Sequence, residues 1–143
     1  MDMQLSGKKA LITGSTYGIG YAIAEALVKE GTDVIITGRH QESVDTAIGK
    51  LKRINSKTKP TGISADCATI VGCQKVFDAE PEVDILINNL GIYERKTFFE
   101  IEDSDWTHFF EVNVMSGVRF ARFYIPKMVT KEWGRVIFVS SES

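Results

Sequence analysis

The segment Thr13-Gly14-Ser15-Thr16-Tyr17-Gly18-Ile19-Gly20 constrains this chain more than any other. It follows a short apolar run, Lys8 to Thr13, and precedes apolar residues at Ile19, Ile23, Ala26 and Leu27, a spacing that marks one face of a helix. A strand must therefore turn into a helix over a few residues, with three glycines at the turn. Gly14 can bend the chain sharply out of the strand, Gly18 can leave bare backbone beside a ligand, and Gly20 can let the helix close on the sheet. Free N–H groups and the positive end of such a helix suit a phosphate or pyrophosphate. The spacing G-x-x-x-G-x-G differs from the commoner G-x-G-x-x-G, and taken alone it also fits an ordinary tight turn.

The same alternation continues along the chain. Val34 to Thr37 reads as a second strand, Val44, Ala47, Ile48 and Leu51 as a helix, and Thr61 to Ser64 as a third strand. A helix follows around Ile70 to Phe77, then a fourth strand, Val83 to Ile87, ended by Asn88-Asn89-Leu90-Gly91. Gly31 stands where a glycine ends a helix. The longest helix starts at an N-cap, Ser104, and its apolar residues run from Trp106 to about Ile125, with Pro126 expected near its end. Arg135 to Ser140 is the fifth strand. Strands with continuous apolar cores, alternating with helices, specify an α/β fold with a doubly wound parallel sheet.

With 143 residues the chain forms one domain, 1–143. Its 17 basic and 19 acidic residues leave a net charge of −2, which excludes the basic excess of a sequence-independent nucleic-acid binder. No apolar run is long enough to cross a bilayer, and the N-terminus lacks a basic segment followed by an apolar one, so a cytoplasmic location is expected. Cys67 and Cys73, both assigned to one helix, and two distant histidines, His40 and His108, do not make a zinc set. No metal is expected, and the cysteines read as core fillers.

The ordered motifs resemble those of the short-chain dehydrogenase/reductase family. The T-G-x-x-x-G-I-G stretch matches its cofactor motif, Asn88-Asn89-Leu90-Gly91 its N-N-A-G motif with Leu90 in place of Ala, and Gly134 to Ser141 the strand that carries its catalytic Ser. The resemblance implies a Rossmann-type sheet in the order 3-2-1-4-5, and hydride transfer between a nicotinamide and a carbonyl or alcohol substrate. It implies cofactor contacts from Gly14, Ser15, Thr16, Tyr17, Gly18, Ile19, Gly20, Asp66, Asn88 and Gly91. It also implies catalytic roles for Asn113, through a water in a proton relay, and for Ser141, with Ser140 and Ser143 as weaker matches. A homo-oligomer, dimer or tetramer, and no nucleic-acid or membrane partner, go with it.

Each position also has a plainer reading. Asn113 could pack a helix, Asn88 and Asn89 could end a strand, Asp66 could cap a helix, and the serines could open a loop. Cofactor choice is read after the second strand, at Thr37-Gly38-Arg39-His40. The carboxylate that would hold a ribose 2′-OH is missing. The guanidinium of Arg39 can hold a 2′-phosphate, so NADP is expected over NAD, with a solvated loop charge as the alternative. The missing carboxylate also weighs against an S-adenosylmethionine methyltransferase.

The family's Tyr-x-x-x-Lys motif does not occur. Tyr17, Tyr21, Tyr93 and Tyr124 have no Lys four residues later. The expectation is a cofactor-binding domain truncated before that motif and inactive alone. The rival is a non-catalytic dinucleotide-binding sensor or scaffold, and the coding sequence after Ser143 separates the two. The fifth strand would be an edge, and the long helix with Phe109, Phe110, Phe120 and Phe123 would lose covering neighbours. Either further chain or a second copy should cover them.

Overall fold

The computed structural model describes residues 1–142. Five parallel strands, β1 (Lys9–Ile12), β2 (Asp33–Gly38), β3 (Thr61–Ser64), β4 (Ile85–Asn88) and β5 (Arg135–Phe138), form one sheet in the order β3-β2-β1-β4-β5. The helices between them are α1 (Gly18–Lys29), α2 (Gln41–Leu51), α3 (Ile70–Ala79), α4 (Asp103–Phe110) and α5 (Ser116–Thr130). This is the expected doubly wound Rossmann-type arrangement.

The period of two along each strand divides the core. Ala10, Ile12, Val34, Ile36, Ile85 and Ile87 face α1 and α2, meeting Ala24, Val28, Ala47 and Leu51. Leu11, Ile35 and Leu86 face the other way, onto Cys73 and Val76 of α3 and Phe120, Tyr124 and Met128 of α5. Burial on both faces explains why these strands read as unbroken apolar runs. At the end of α1, Gly31 has φ +84. Its N–H bonds the Val28 carbonyl while the Thr32 N–H bonds that of Leu27, both at 3.0 Å, a Schellman closure.

Three local expectations need correction. Only Cys73 lies in a helix. Cys67 sits in the turn ahead of α3, because Thr69, not Asp66, caps that helix by accepting from the Gly72 N–H at 3.0 Å. Glu102 rather than Ser104 starts α4, in a capping box closed by Asp105, whose Oδ2 accepts from the Glu102 N–H at 3.0 Å.

The long helix, third, is not one regular helix. Glu111–Met115 forms a π-helical turn between α4 and α5, and α5 runs through Pro126 to Thr130. Pro126 removes one N–H from the ladder, but the buried Tyr124 and Met128 on either side of it hold α5 against the sheet.

Candidate cofactor cleft and its neighbours

Parallel strands deliver all their following loops to one edge of the sheet. The turns after β1, β2, β3 and β4 meet there around an open cleft of about 330 Å³. Its floor is the glycine turn. Gly14 (φ +60) and Gly18 (φ +62) both adopt left-handed backbone. A Cβ on Gly18 would meet nothing within 4 Å, so backbone lies bare at the mouth of α1. That helix has no acidic residue in its first turn and no side-chain cap on it, which leaves its positive end unopposed.

Of the residues expected at the cofactor, Gly14, Thr16, Tyr17, Gly18, Ile19, Arg39, Asp66 and Gly91 line this cleft. Tyr17 and Ile19 stand 81% and 66% exposed, although large and apolar. Arg39 and His40 lie beyond β2 at one end, and the nearby strand end carries no carboxylate. Asp66 is exposed, and its Oδ1 accepts from the Ala68 N–H at 3.0 Å.

Three expected residues lie elsewhere. Ser15 is fully buried. Its hydroxyl donates to the Ile12 carbonyl at 2.6 Å and accepts from the Thr37 N–H at 3.1 Å, lashing the glycine turn to β2. Gly20 is buried beneath the turn. A Cβ there would lie 2.5 Å from both the Gly14 carbonyl oxygen and Asn89 Nδ2, so its lack of a side chain serves the turn itself rather than the sheet. Asn88 is 7% exposed and faces α5 near Gly117, away from the cleft, with neither amide atom hydrogen-bonded.

Asn89, which the sequence left as strand-ending chemistry, does the positioning. Its Nδ2 donates to the carbonyls of Thr13 (3.1 Å) and Gly14 (2.9 Å). Thr13 Oγ1 in turn accepts from the N–H groups of Asn89 and Leu90. These bonds join the loop after β4 to the glycine turn. Cys67 also lines the cleft but is 3% exposed. Burial pushes its thiol up to about 12, so it is protonated and inert.

Asn113 lies in the π-helical turn and is exposed, not buried as its apolar neighbours suggest. Its amide brackets one residue of the next loop: Oδ1 accepts from the Ile92 N–H at 2.7 Å and Nδ2 donates to the Ile92 carbonyl at 3.1 Å. Ser140 and Ser141 follow β5 at the same edge of the sheet, just past the bond from the Val139 N–H to the Asn88 carbonyl at 2.9 Å. Ser143 lies outside the described residues. Among the described residues no cluster of three or more His, Cys, Asp or Glu could hold a metal, and no helix is long and apolar enough to cross a membrane.

Fold and cleft together define a Rossmann-type α/β protein with a glycine-lined helix terminus at a topological switch point. Residues 8–143 match the family model for short chain dehydrogenase, and the chain belongs to that family. It is 50% identical over 143 residues to the uncharacterized oxidoreductase YvaG of Bacillus subtilis (strain 168), covering 100% of this chain and 54% of that protein. It is 32% identical to the 3-oxoacyl-[acyl-carrier-protein] reductase FabG of Aquifex aeolicus (strain VF5), over 99% of this chain and 58% of that one. The crystal structure of L-sorbose reductase from Gluconobacter frateurii, complexed with NADPH and L-sorbose, superposes with a TM-score of 0.93 at 36% identity, over 99% of this chain and 55% of that one. The chain spans about half the length of the relatives it matches.

Proposed function

We propose that this chain forms the NADP-binding part of an oxidoreductase that moves a hydride between a nicotinamide and a small carbonyl or alcohol substrate. The observation that carries this reading is the bare glycine turn at the start of α1 with Arg39, and no carboxylate, at the end of the neighbouring strand. When bound, the dinucleotide supplies or accepts the hydride. The chain's own residues bind and orient it. Gly18 and the first turn of α1 hold the pyrophosphate through backbone N–H groups, with Gly14, Thr16, Tyr17 and Ile19 around it; the Gly14 N–H itself donates to Thr37 Oγ1 at 3.0 Å. Arg39 pairs with the 2′-phosphate, and Asp66 and Gly91 flank the adenosine. A structural neighbour described as complexed with NADPH supports this assignment.

Asn113 and Ser141 take the catalytic roles. Asn113 orders the loop from Ile92 and positions a proton-relay water, and Ser141 polarises the substrate oxygen. No Tyr of the chain is followed four residues later by Lys, so the 143-residue chain by itself binds cofactor without turning substrate over. The whole protein acts in the cytoplasm as a dimer or tetramer, on small molecules rather than nucleic acid or membrane.

Titration separates the outcomes. NADPH should bind more tightly than NADH, and Arg39→Asp should reverse the order; equal or better NADH binding by the parent chain overturns the NADP assignment. In the complete enzyme, Ser141→Ala should lower turnover strongly while leaving cofactor affinity nearly unchanged. A silent Ser141→Ala beside a damaging Ser140→Ala would reassign the serine. Cofactor binding by a complete protein with no oxidoreductase activity would favour a sensor or scaffold.

A further inference from the structure

The π-helical turn has a geometric consequence on the far wall of the cleft. At about 100° per residue, the twelve residues from His108 to Phe120 would carry a regular helix roughly 120° past whole turns. His108 would then point well away from the side on which Phe120 is buried. Absorbing one residue in a π turn leaves a mismatch of only about 20°. Val112, Ser116 and Phe120, spaced by four, are accordingly all buried. One turn before Val112, His108 lines the same cleft.

Arg119 braces this wall. Its guanidinium pairs with Glu111 at 2.7 Å and donates to the Ala68 carbonyl at 3.2 Å, so the π turn is tied to the loop after β3 that carries Asp66. His108 is exposed, and among the described residues no protein group hydrogen-bonds its ring nitrogens. An imidazole offers one donor and one acceptor at opposite corners of a flat ring. With the phosphates on α1 and the 2′-phosphate at Arg39, the purine must lie on the side of the cleft bounded by the Asp66 loop and by the Leu90, Val112 and His108 wall.

We propose that His108 is a base-contacting residue of this cleft and hydrogen-bonds the 6-amino edge of the adenine. The inference rests on the dinucleotide reading above.

The test pairs NADP with 1,N6-etheno-NADP, whose extra ring fills the 6-amino edge, in equilibrium titrations of the full chain. The parent chain should bind the etheno analogue roughly tenfold more weakly than NADP, about the worth of one net hydrogen bond. His108→Ala should weaken NADP by a similar factor and bring the two ligands within about twofold. His108→Gln, which keeps a donor and an acceptor, should retain most of the NADP affinity. If His108→Ala leaves both affinities unchanged, or lowers both equally, the His108 assignment is wrong while the cofactor reading stands. If the parent chain binds neither NADP nor NAD, the cofactor reading itself fails, and His108 falls with it.

Discussion

The sheet's centre and its β5 flank carry strands of similar composition and opposite burial. In β2, Val34, Ile35 and Ile36 are at most 2% exposed. In β5, Ile137 and Phe138 are 50% and 58% exposed, and Val139 just beyond is 39% exposed. β2 is covered by α1 and α2 on one face and by the α3 and α5 layer on the other. β5 has α5 over Val136 and, where Gly117 leaves room, against one edge of the Phe138 ring, while Ile137 turns to the face that α1 and α2 cover only farther in. An apolar run is therefore a request for cover, and the helices on the two faces decide whether it is met. The cofactor cleft lies at the fully covered end, where the glycine turn, Thr37 and Asn89 are cross-linked by hydrogen bonds.

The sharpest way to break this contrast is to delete one aromatic from each region. Phe120→Ala, emptying a fully buried site between α5 and the sheet, should cost about 3–5 kcal/mol. Phe138→Ala on the open flank should cost under about 1 kcal/mol. Urea midpoints of the two variants measure the difference, and equal losses would show that the flank is as well packed as the centre.

The covered region should also set the alkaline limit. Burial raises the thiols of Cys67 and Cys73 and the phenol of Tyr124. Each folded group holds its proton more tightly than the unfolded one, so its contribution is complete below the unfolded value and is lost as pH rises. For Cys67 that window runs from 9.0 to about 12, with a loss on the order of 4 kcal/mol once the whole window is crossed. Denaturation midpoints from pH 8 to 11 should fall, and Cys67→Ala should flatten the fall. An unchanged slope would remove Cys67 from the account.

Gly20→Ala should destabilise by about 2 kcal/mol, since the new Cβ meets the Gly14 carbonyl and the Asn89 amide with little room to move. NADPH binding should fall with it. Asn89→Ala removes two hydrogen bonds to the glycine turn and should cost about 1–2 kcal/mol, with a matching loss of cofactor affinity. A stable Asn89→Ala that binds NADPH like the parent would show that the turn holds its shape unaided. The smallest effect belongs to the open flank. Ile137→Lys should change stability by no more than about 0.5 kcal/mol while reducing self-association in sedimentation.

Much of this was legible in the residues, because local rules acted without competition. Apolar runs stopped by Gly14 and Gly38, helical spacing at Val44, Ala47 and Leu51, and Gly31 at a helix end all have short-range physical causes. They led to the five strands, and the ordered motifs led to the family and, through that resemblance, to the order of the strands in the sheet. What the helix from Asp103 to Thr130 does was not legible. Its periodicity reads as one regular helix, yet a π turn at Glu111–Met115 moves the buried position to Val112, exposes Asn113 and turns His108 into the cleft. Likewise Phe120 is buried and Phe123 stacks on Phe77 at 4.0 Å, where the sequence alone predicts an uncovered surface shared with the half-exposed Phe110.

The sequence by itself determined the alternation of strands and helices and the glycine turn after β1, because each depends on neighbours in the chain, and that alternation implied a parallel sheet. Only the tertiary structure decided which asparagine of Asn88 and Asn89 braces that turn, and that Ser15 and Gly20 serve it from beneath. These depend on where the end of β4 meets the end of β1. The two segments are about 75 residues apart, and their hydrogen bonds exist only once the sheet has brought them together.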